Sequence, residues 1–346
     1  MRKLDKKECM NGTRTQNTDK KGECTMTNQE FELIINEFNT EKDKEGCSLQ
    51  MDSLIISDGE GNRFKHLFNE QDGLHPVRSI CKTVVSMCFG ILLAESRTLK
   101  DGSVLTLDTL IWPIIKNKVS LKNLDNEKYL NKISLFHLMT HTIGFDTKLL
   151  KTKDVVGIDP STFLDLVCNT PIVYQPGKYF LYSNAAPFLL AVVFQEITGI
   201  NLAMFAEERI FTPLGIKDYK WRNYGIYCAG ATGLDLKSDD LHKIAELVAN
   251  EGRCGKNQIV PKQWMKDLHK PQVLTPSMYD SSRVFPKYAY GLLMWICGID
   301  ANSNYFVDGS DGQYIIIIPK NKLVITTLGH QKDMKPITRC LKSLLK

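Results

Sequence analysis

The chain has 346 residues, 43% of them apolar and 24% charged, an ordinary globular composition that argues against a disordered or fibrous protein. Its formal charge of +5 comes from 44 basic and 39 acidic residues without a long basic block or basic residues interleaved with aromatics, which sets nucleic acid aside as a partner. The length exceeds a typical domain of roughly 100–200 residues, so a large two-part domain or two domains is expected.

Residues 1–26 are polar, rich in Lys, Thr and Asn, and lack apolar periodicity, so they read as a disordered leader, with Met26 an alternative start. From Asn28 the run NQEFELIINEFN places Phe31, Leu33, Ile34, Ile35 and Phe38 on a helical face. Two strands follow, Leu54–Ser57 and Asn62–Phe68, joined by the Gly-bearing turn Asp58–Gly61. Helical patterns then dominate: Ser79–Glu95, Ser134–Met139, Thr162–Cys168, Ala185–Thr198, Leu202–Ile210 and Ser238–Asn250, with Gly144, Gly199 and Pro213 as breakers. From Tyr288 the character turns to strands (YAYGLLMWICG, NYFVDGSDGQYIIIIP, KLVITTLG), with Pro319–Asn321 as a hairpin turn. A closing helix carries Ile337, Cys340, Leu341, Leu344 and Leu345 on one face. The expected fold is α/β (α+β): an antiparallel sheet built from both terminal segments and flanked by helices, with a mainly helical subdomain inserted. The sheet part is expected at about 27–78 and 285–346, the helical part at about 79–284.

Ten cysteines are scattered without a CxxC pair or a Cys/His spacing suited to zinc, so neither metal nor cofactor is expected. Cys88 and Cys168 sit inside apolar runs as small core residues do, a usage that suits a reducing compartment. The N-terminus has no apolar stretch of the roughly 7–15 residues a secretory signal needs. The longest apolar run, Val84–Ala94, has 11 residues, short of the roughly 18–20 of a membrane span. The expected location is cytoplasmic; the oligomeric state is not legible.

Three stretches can carry chemistry. In VRSICKTVVSMCFGILLAE, Ser79 precedes Lys82 by three residues, so on a helix the two share a face. A serine hydroxyl needs a base within hydrogen-bond reach to act as a nucleophile, and a helix N-terminus favours an oxyanion over an ammonium. Serine is also a preferred N-cap, and on this stretch alone the capping reading is the simpler one. A second Ser-x-x-Lys at Ser343–Lys346 shows how weak the spacing is by itself. In QPGKYFLYSNAAPFLLAVVFQEITG, a Pro-Gly turn and a short extended run present Tyr182, Ser183 and Asn184 just before an apolar helix. There a phenol could move a proton and an amide could hold a substrate. Tyr129–Asn131 repeats the Tyr-x-Asn spacing in a charged, turnless setting. In FVDGSDGQYIIIIP, Gly309 and Gly312 interrupt a strong strand, either as a turn or where a ligand approaches the backbone at Ser310.

In this order the three stretches, with ISLFHLMTHTIGF, resemble the serine β-lactamase and penicillin-binding-protein superfamily, especially its class C-like branch of esterases, amidases and D-peptidases, over roughly Phe31–Leu345. The resemblance implies a cleft between the sheet and helical parts, Ser79 as the acyl-accepting nucleophile, Lys82 as its base and Tyr182 as the second proton-transfer residue. It implies Asn184 as the amide-binding residue, and the backbone N–H groups of Ser79 and of Ser310, next to Gly309, as the oxyanion hole. Val307-Asp308-Gly309 stands where penicillin-recognising relatives have Lys-Thr-Gly, which weakens the case for β-lactams. The expected substrate is a small ester, amide or D-configured peptide; the rival expectation is a silent binding or sensor protein of the same fold. His137 and His141 are expected to be structural, and Cys81 packed rather than reactive.

Overall fold

The computed structural model describes residues 25–300 and 302–346. All of the expected leader but its last two residues therefore lies outside the described residues. Met26 is 7% exposed and belongs to the core, and Thr27 caps the first helix, α1 (Asn28–Thr40), in a reciprocal capping box with Glu30. Phe31, Ile34, Ile35 and Phe38 face inward at the 3–4 spacing of one helical stripe; Leu33 falls off that stripe and is exposed.

Strands β1 (Met51–Ser57) and β2 (Arg63–Leu67) form the expected hairpin. A two-residue strand β3 (His75–Pro76) then leads into a 3-10 turn, Arg78–Ile80, and the helix α2 (Cys81–Ala94). The helix α3 (Ala185–Thr198) ends at Gly199 in the left-handed region, φ 73°, as its sequence required. Two short strands, β4 (Lys220–Trp221) and β5 (Leu234–Leu236), pair with β3 as a three-stranded sheet in the order β3-β5-β4, followed by α4 (Ser238–Ala249). The C-terminal part supplies β6 (Val273–Leu274), β7 (Ala289–Tyr290), β8 (Trp295–Ile296), β9 (Tyr305–Gly309), β10 (Gln313–Ile318), β11 (Leu323–Gly329) and α5 (Lys335–Cys340).

The main sheet is eight-stranded and antiparallel throughout, in the order β6-β7-β8-β9-β10-β11-β1-β2, so β1 from the N-terminal segment lies beside the last strand, β11. α1 and α5 pack together, with α1 reaching β2 through Phe31 on Phe64 (ring centroids 5.4 Å apart). α4 packs against β1, β10 and β11, where the buried His242 bridges Ser57 and Thr326. Cover on both faces explains why β10 and β11 are buried at every position and read as continuous apolar runs rather than alternating ones. α2 is buried from Cys81 to Leu92 and packs against α3 and the helix Lys262–Leu268.

Two boundaries differ from expectation. β6 lies within the stretch expected to be helical, so the sheet part begins at Val273 rather than near 285. The middle segment also carries β4 and β5, whose two or three residues are too few to impose a period of two on the sequence.

Candidate active site

The 3-10 turn that carries Ser79 is forced into place by its neighbours. Arg78 takes φ 53°, the left-handed region that non-glycine residues rarely adopt, and its guanidinium is held by Asp311 at 3.1 Å. Across from it, Gly309 leaves no room for a side chain: a Cβ there would stand 2.6 Å from the carbonyl oxygen of Val77 and 2.8 Å from Cβ of Arg78. Glycine at the end of β9 thus allows the turn to lie against the strand and brings Ser310 beside Ser79.

Ser79 is not a helix cap. The turn and α2 have no side-chain cap bond at their N-termini. The hydroxyl lies instead 2.7 Å from Nζ of Lys82, which also donates to Asn184 Oδ1 (3.1 Å) and to the carbonyl of Ala231 (2.7 Å). Lys82 is 1% exposed. Burial, the largest cause, pulls its ammonium down to about 8; Lys287 acts in the same direction, while Cys81 and Asp308 oppose it. At neutral pH the protonated amine satisfies all three partners. Once deprotonated it keeps two N–H groups for Asn184 and Ala231 and turns a lone pair to the Ser79 hydroxyl, the geometry of a base.

Tyr182 hydrogen-bonds to Ser79, and burial followed by the Asp308 charge pushes its phenol well above the ordinary range. It therefore stays a neutral O–H at physiological pH, able to pass a proton but not to stand as a phenolate. Its ring is fixed by stacking on Trp295 (5.3 Å) and by His141 (4.7 Å). His141 is buried, holds φ 54°, and accepts from the Ser183 amide at Nδ1 (3.4 Å); burial drives its imidazole well below the usual value, so it packs as a neutral ring behind Tyr182. His137 caps its own short helix by accepting from Ser134 N (3.0 Å). Cys81 points Sγ at the Gly230 carbonyl, and burial pushes its thiol up to about 12, an inert packed side chain.

Asn184 precedes α3 without capping it; Nδ2 gives one hydrogen to the Leu150 carbonyl (2.8 Å) and has a second in hand. The Ser79 amide lies ahead of the first hydrogen bond of its turn, Ile80 N to Val77 O, and Ser310 lies past the last β9–β10 pair, Gly309 with Gln313. Neither N–H is consumed by its element. Both residues line one cleft of about 200 Å³ with Tyr182 and three cations, Arg78, Lys148 and Lys151. All six expected site residues thus gather in one place. The sequence did not point to Arg78, Lys148, Lys151 or the carbonyl of Ala231. Lys148 and Lys151 belong to an irregular loop tied to Ser183 Oγ through Leu149 N (2.9 Å), and no periodic pattern marks such a loop.

Asp308 is directed elsewhere: it pairs with Lys287 at 2.7 Å beside a second cavity, and Lys287 lies 4.2 Å from the Trp295 ring centroid. Val307 is 3% exposed in the core.

The Beta-lactamase family model matches residues 58–338. A Salmonella heidelberg protein provisionally named D-alanyl-D-alanine carboxypeptidase is 26% identical over 153 residues, 41% of this chain and 35% of the relative, so the match spans about a third of that protein's length. Two solved structures share the fold at low identity. A penicillin-binding protein from Bacillus halodurans has 17% identity, covers 92% of this chain and 100% of its own, and gives a TM-score of 0.66. A D-stereospecific amidohydrolase from Streptomyces sp. has 16% identity, covers 90% and 97%, and gives a TM-score of 0.68. With a family match that takes in the Ser79, Tyr182 and Gly309 stretches together, the chain belongs to the Beta-lactamase family and has the fold of its serine hydrolases.

Proposed function

We propose that the protein hydrolyses a small ester, amide or D-configured peptide through an acyl-enzyme on Ser79. The observation that carries this reading is the 2.7 Å contact between Ser79 Oγ and an almost wholly buried Lys82 at the head of an open cleft. Burying an amine is costly because desolvation disfavours its charged form, and its three hydrogen bonds offset that cost only in part, since its pKa is still pulled down to about 8; this weighs against a silent binding protein.

In the cycle, neutral Lys82 takes the Ser79 proton as Oγ attacks the substrate carbonyl. The negative charge on the carbonyl oxygen is met by the N–H groups of Ser79 and Ser310. The C–O or C–N bond then breaks, and the leaving group receives its proton from Lys82 by way of the neutral Tyr182 hydroxyl. Water attacks the acyl group in turn, gives up a proton to the same pair, and Ser79 Oγ is reprotonated as the acid departs. The test is a fluorophosphonate probe followed by peptide mass spectrometry. A single adduct on Ser79 is expected, formed at a rate that rises with pH and levels off above about 8, where Lys82 is deprotonated. No adduct on Ser79 with any acylating probe would overturn the proposal.

The cleft also bears on the substrate. Arg78 is paired with Asp311 and Lys151 with Asp154 (3.7 Å), whereas Lys148 has no carboxylate within ion-pair distance among the described residues. A free cation at the cleft rim favours a substrate with an anionic group, approached from the loop side rather than from the strand where Val307 stands. Lys148→Ala is expected to raise KM about fivefold for a carboxylate-bearing ester, the worth of one exposed ion pair of about 1 kcal/mol. KM for its neutral methyl analogue should stay unchanged; equal effects on both esters would refute the role.

A further inference from the structure

At the strand that leads into Ser79, three side chains from distant parts of the chain converge: Asp52 of β1, His75 of β3 and His330, just past β11. Asp52 Oδ2 lies 2.9 Å from His75 Nε2 and 3.3 Å from His330 Nε2, and all three atoms fall within 4.8 Å of one another. The two imidazole centroids are 4.7 Å apart. Asp52 Oδ2 and His75 Nε2 are closed to solvent, yet neither has a hydrogen-bond partner of acceptable geometry. Two such buried atoms facing each other are anomalous, since buried polar groups are otherwise paired.

The surroundings explain which atoms are left over. His75 Nδ1 lies 3.2 Å from the carbonyl oxygen of Pro76, which can only accept, so Nδ1 carries the hydrogen and Nε2 presents its lone pair to the carboxylate. Two electron-rich atoms at 2.9 Å call for positive charge between or beside them, and a metal ion that also takes His330 Nε2 would supply it to all three atoms at once. Asp52 is oriented in turn by Asn69, whose Nδ2 donates to Oδ1. A ligating imidazole whose other N–H is held by a carbonyl, and a ligating carboxylate whose second oxygen is hydrogen-bonded, are the supports that metal ligands regularly have.

We propose that Asp52, His75 and His330 form a binding site for one divalent transition-metal ion of the zinc class. Two imidazoles and one carboxylate select Zn²⁺, Co²⁺, Ni²⁺ or Cu²⁺ over Mg²⁺ and Ca²⁺, which want more oxygen ligands. Ligand atoms about 3 Å apart are what metal–ligand bonds of about 2.0–2.2 Å produce. Because His330 is 62% exposed and borders a solvent-open cavity of about 500 Å³, the remaining coordination positions face water and the ion has a way in. β1 belongs to the main sheet, His330 directly follows its strand β11, and β3 belongs to the small sheet, so the ion clips the two sheets together four residues ahead of Ser79. No local spacing announces such a site, since positions 52, 75 and 330 meet only through β1–β11 pairing and the path of β3.

The experiment uses the full chain stripped with a chelator and titrated with Zn²⁺ or Co²⁺. Saturable binding of one equivalent is expected, with a melting temperature raised by about 3–5 °C at a free metal concentration one hundred times Kd. The Co²⁺ form should show ligand-field bands without a thiolate charge-transfer band, since the ligands are nitrogen and oxygen. His330→Ala, at an exposed side chain that the fold does not need, should weaken binding at least about tenfold and remove the thermal shift while leaving the metal-free melting temperature in place. Absence of saturable binding, binding unmoved by His330→Ala, or a thiolate band would each overturn the assignment.

Discussion

Ser79→Ala is expected to lower kcat/KM for any substrate the enzyme turns over by at least about 10⁴-fold, roughly 5.5 kcal/mol of lost transition-state stabilisation at about 1.4 kcal/mol per decade. The loss is large because a serine acyl-transfer site works as a unit: without Oγ there is no covalent intermediate, and only the binding groups and the two N–H donors remain. Folding should scarcely notice. The hydroxyl caps neither the turn nor α2, and Lys82 keeps its bonds to Asn184 and Ala231. Calorimetry should find the melting temperature within about 1–2 °C of wild type. Undiminished turnover by the variant would remove Ser79 from the mechanism; a collapse in stability would mean that the serine is chiefly structural.

The second large effect concerns Lys287 and Asp308, which form an ion pair at 2.7 Å with side chains only 10% and 15% exposed. Removing one partner of so enclosed a pair leaves the other charge desolvated and alone, a loss of about 3 kcal/mol. Lys287→Met and Asp308→Asn should both melt several degrees lower than wild type, and the double variant should recover part of the difference. Their effects on catalysis should part company. Lys287 lowers the Lys82 pKa and Asp308 raises it. Lys287→Met therefore moves the acid limb of the pH–rate profile above about 8, so the enzyme is slower at neutral pH, whereas Asp308→Asn moves it below. Shifts of the same sign in the two single variants, or unaltered melting in both, would contradict this account.

The elements most legible in the sequence were those with length and punctuation. α3 has its Pro-Gly turn upstream and Gly199 downstream, and β10 and β11 are uninterrupted apolar runs. Periodicity put Ser79 and Lys82 on one helix face and a turn-then-helix context presented Tyr182, but it was the family resemblance of the three stretches taken together that joined them into one site. What escaped is what depends on contacts far apart in sequence. The Lys287–Asp308 pair spans 21 residues and two strands, and the ring of His141 behind Tyr182 depends on a backbone conformation that no periodic pattern encodes. The cleft loop at Lys148–Lys151 is held by a few isolated hydrogen bonds, two with Ser183 and one with Asn184, rather than by a repeating face. Ser79 itself was misread in one respect: its position before an apolar helix suggests a cap, but the 3-10 turn sets it one step away from the capping geometry and directs the hydroxyl to Lys82.

The close fit of Gly309 against Val77 and Arg78 has a consequence for the order in which the protein becomes competent during its synthesis. Ser79 and Lys82 leave the ribosome more than two hundred residues before Gly309 and Ser310. Until β9 is inserted between β8 and β10, the proposed nucleophile would have its proposed base but only one of the two N–H donors proposed for an oxyanion. On the proposed mechanism the nascent chain would thus carry a serine less able to acylate itself on passing esters, and the reactive centre would be completed by one of the last strands to be made.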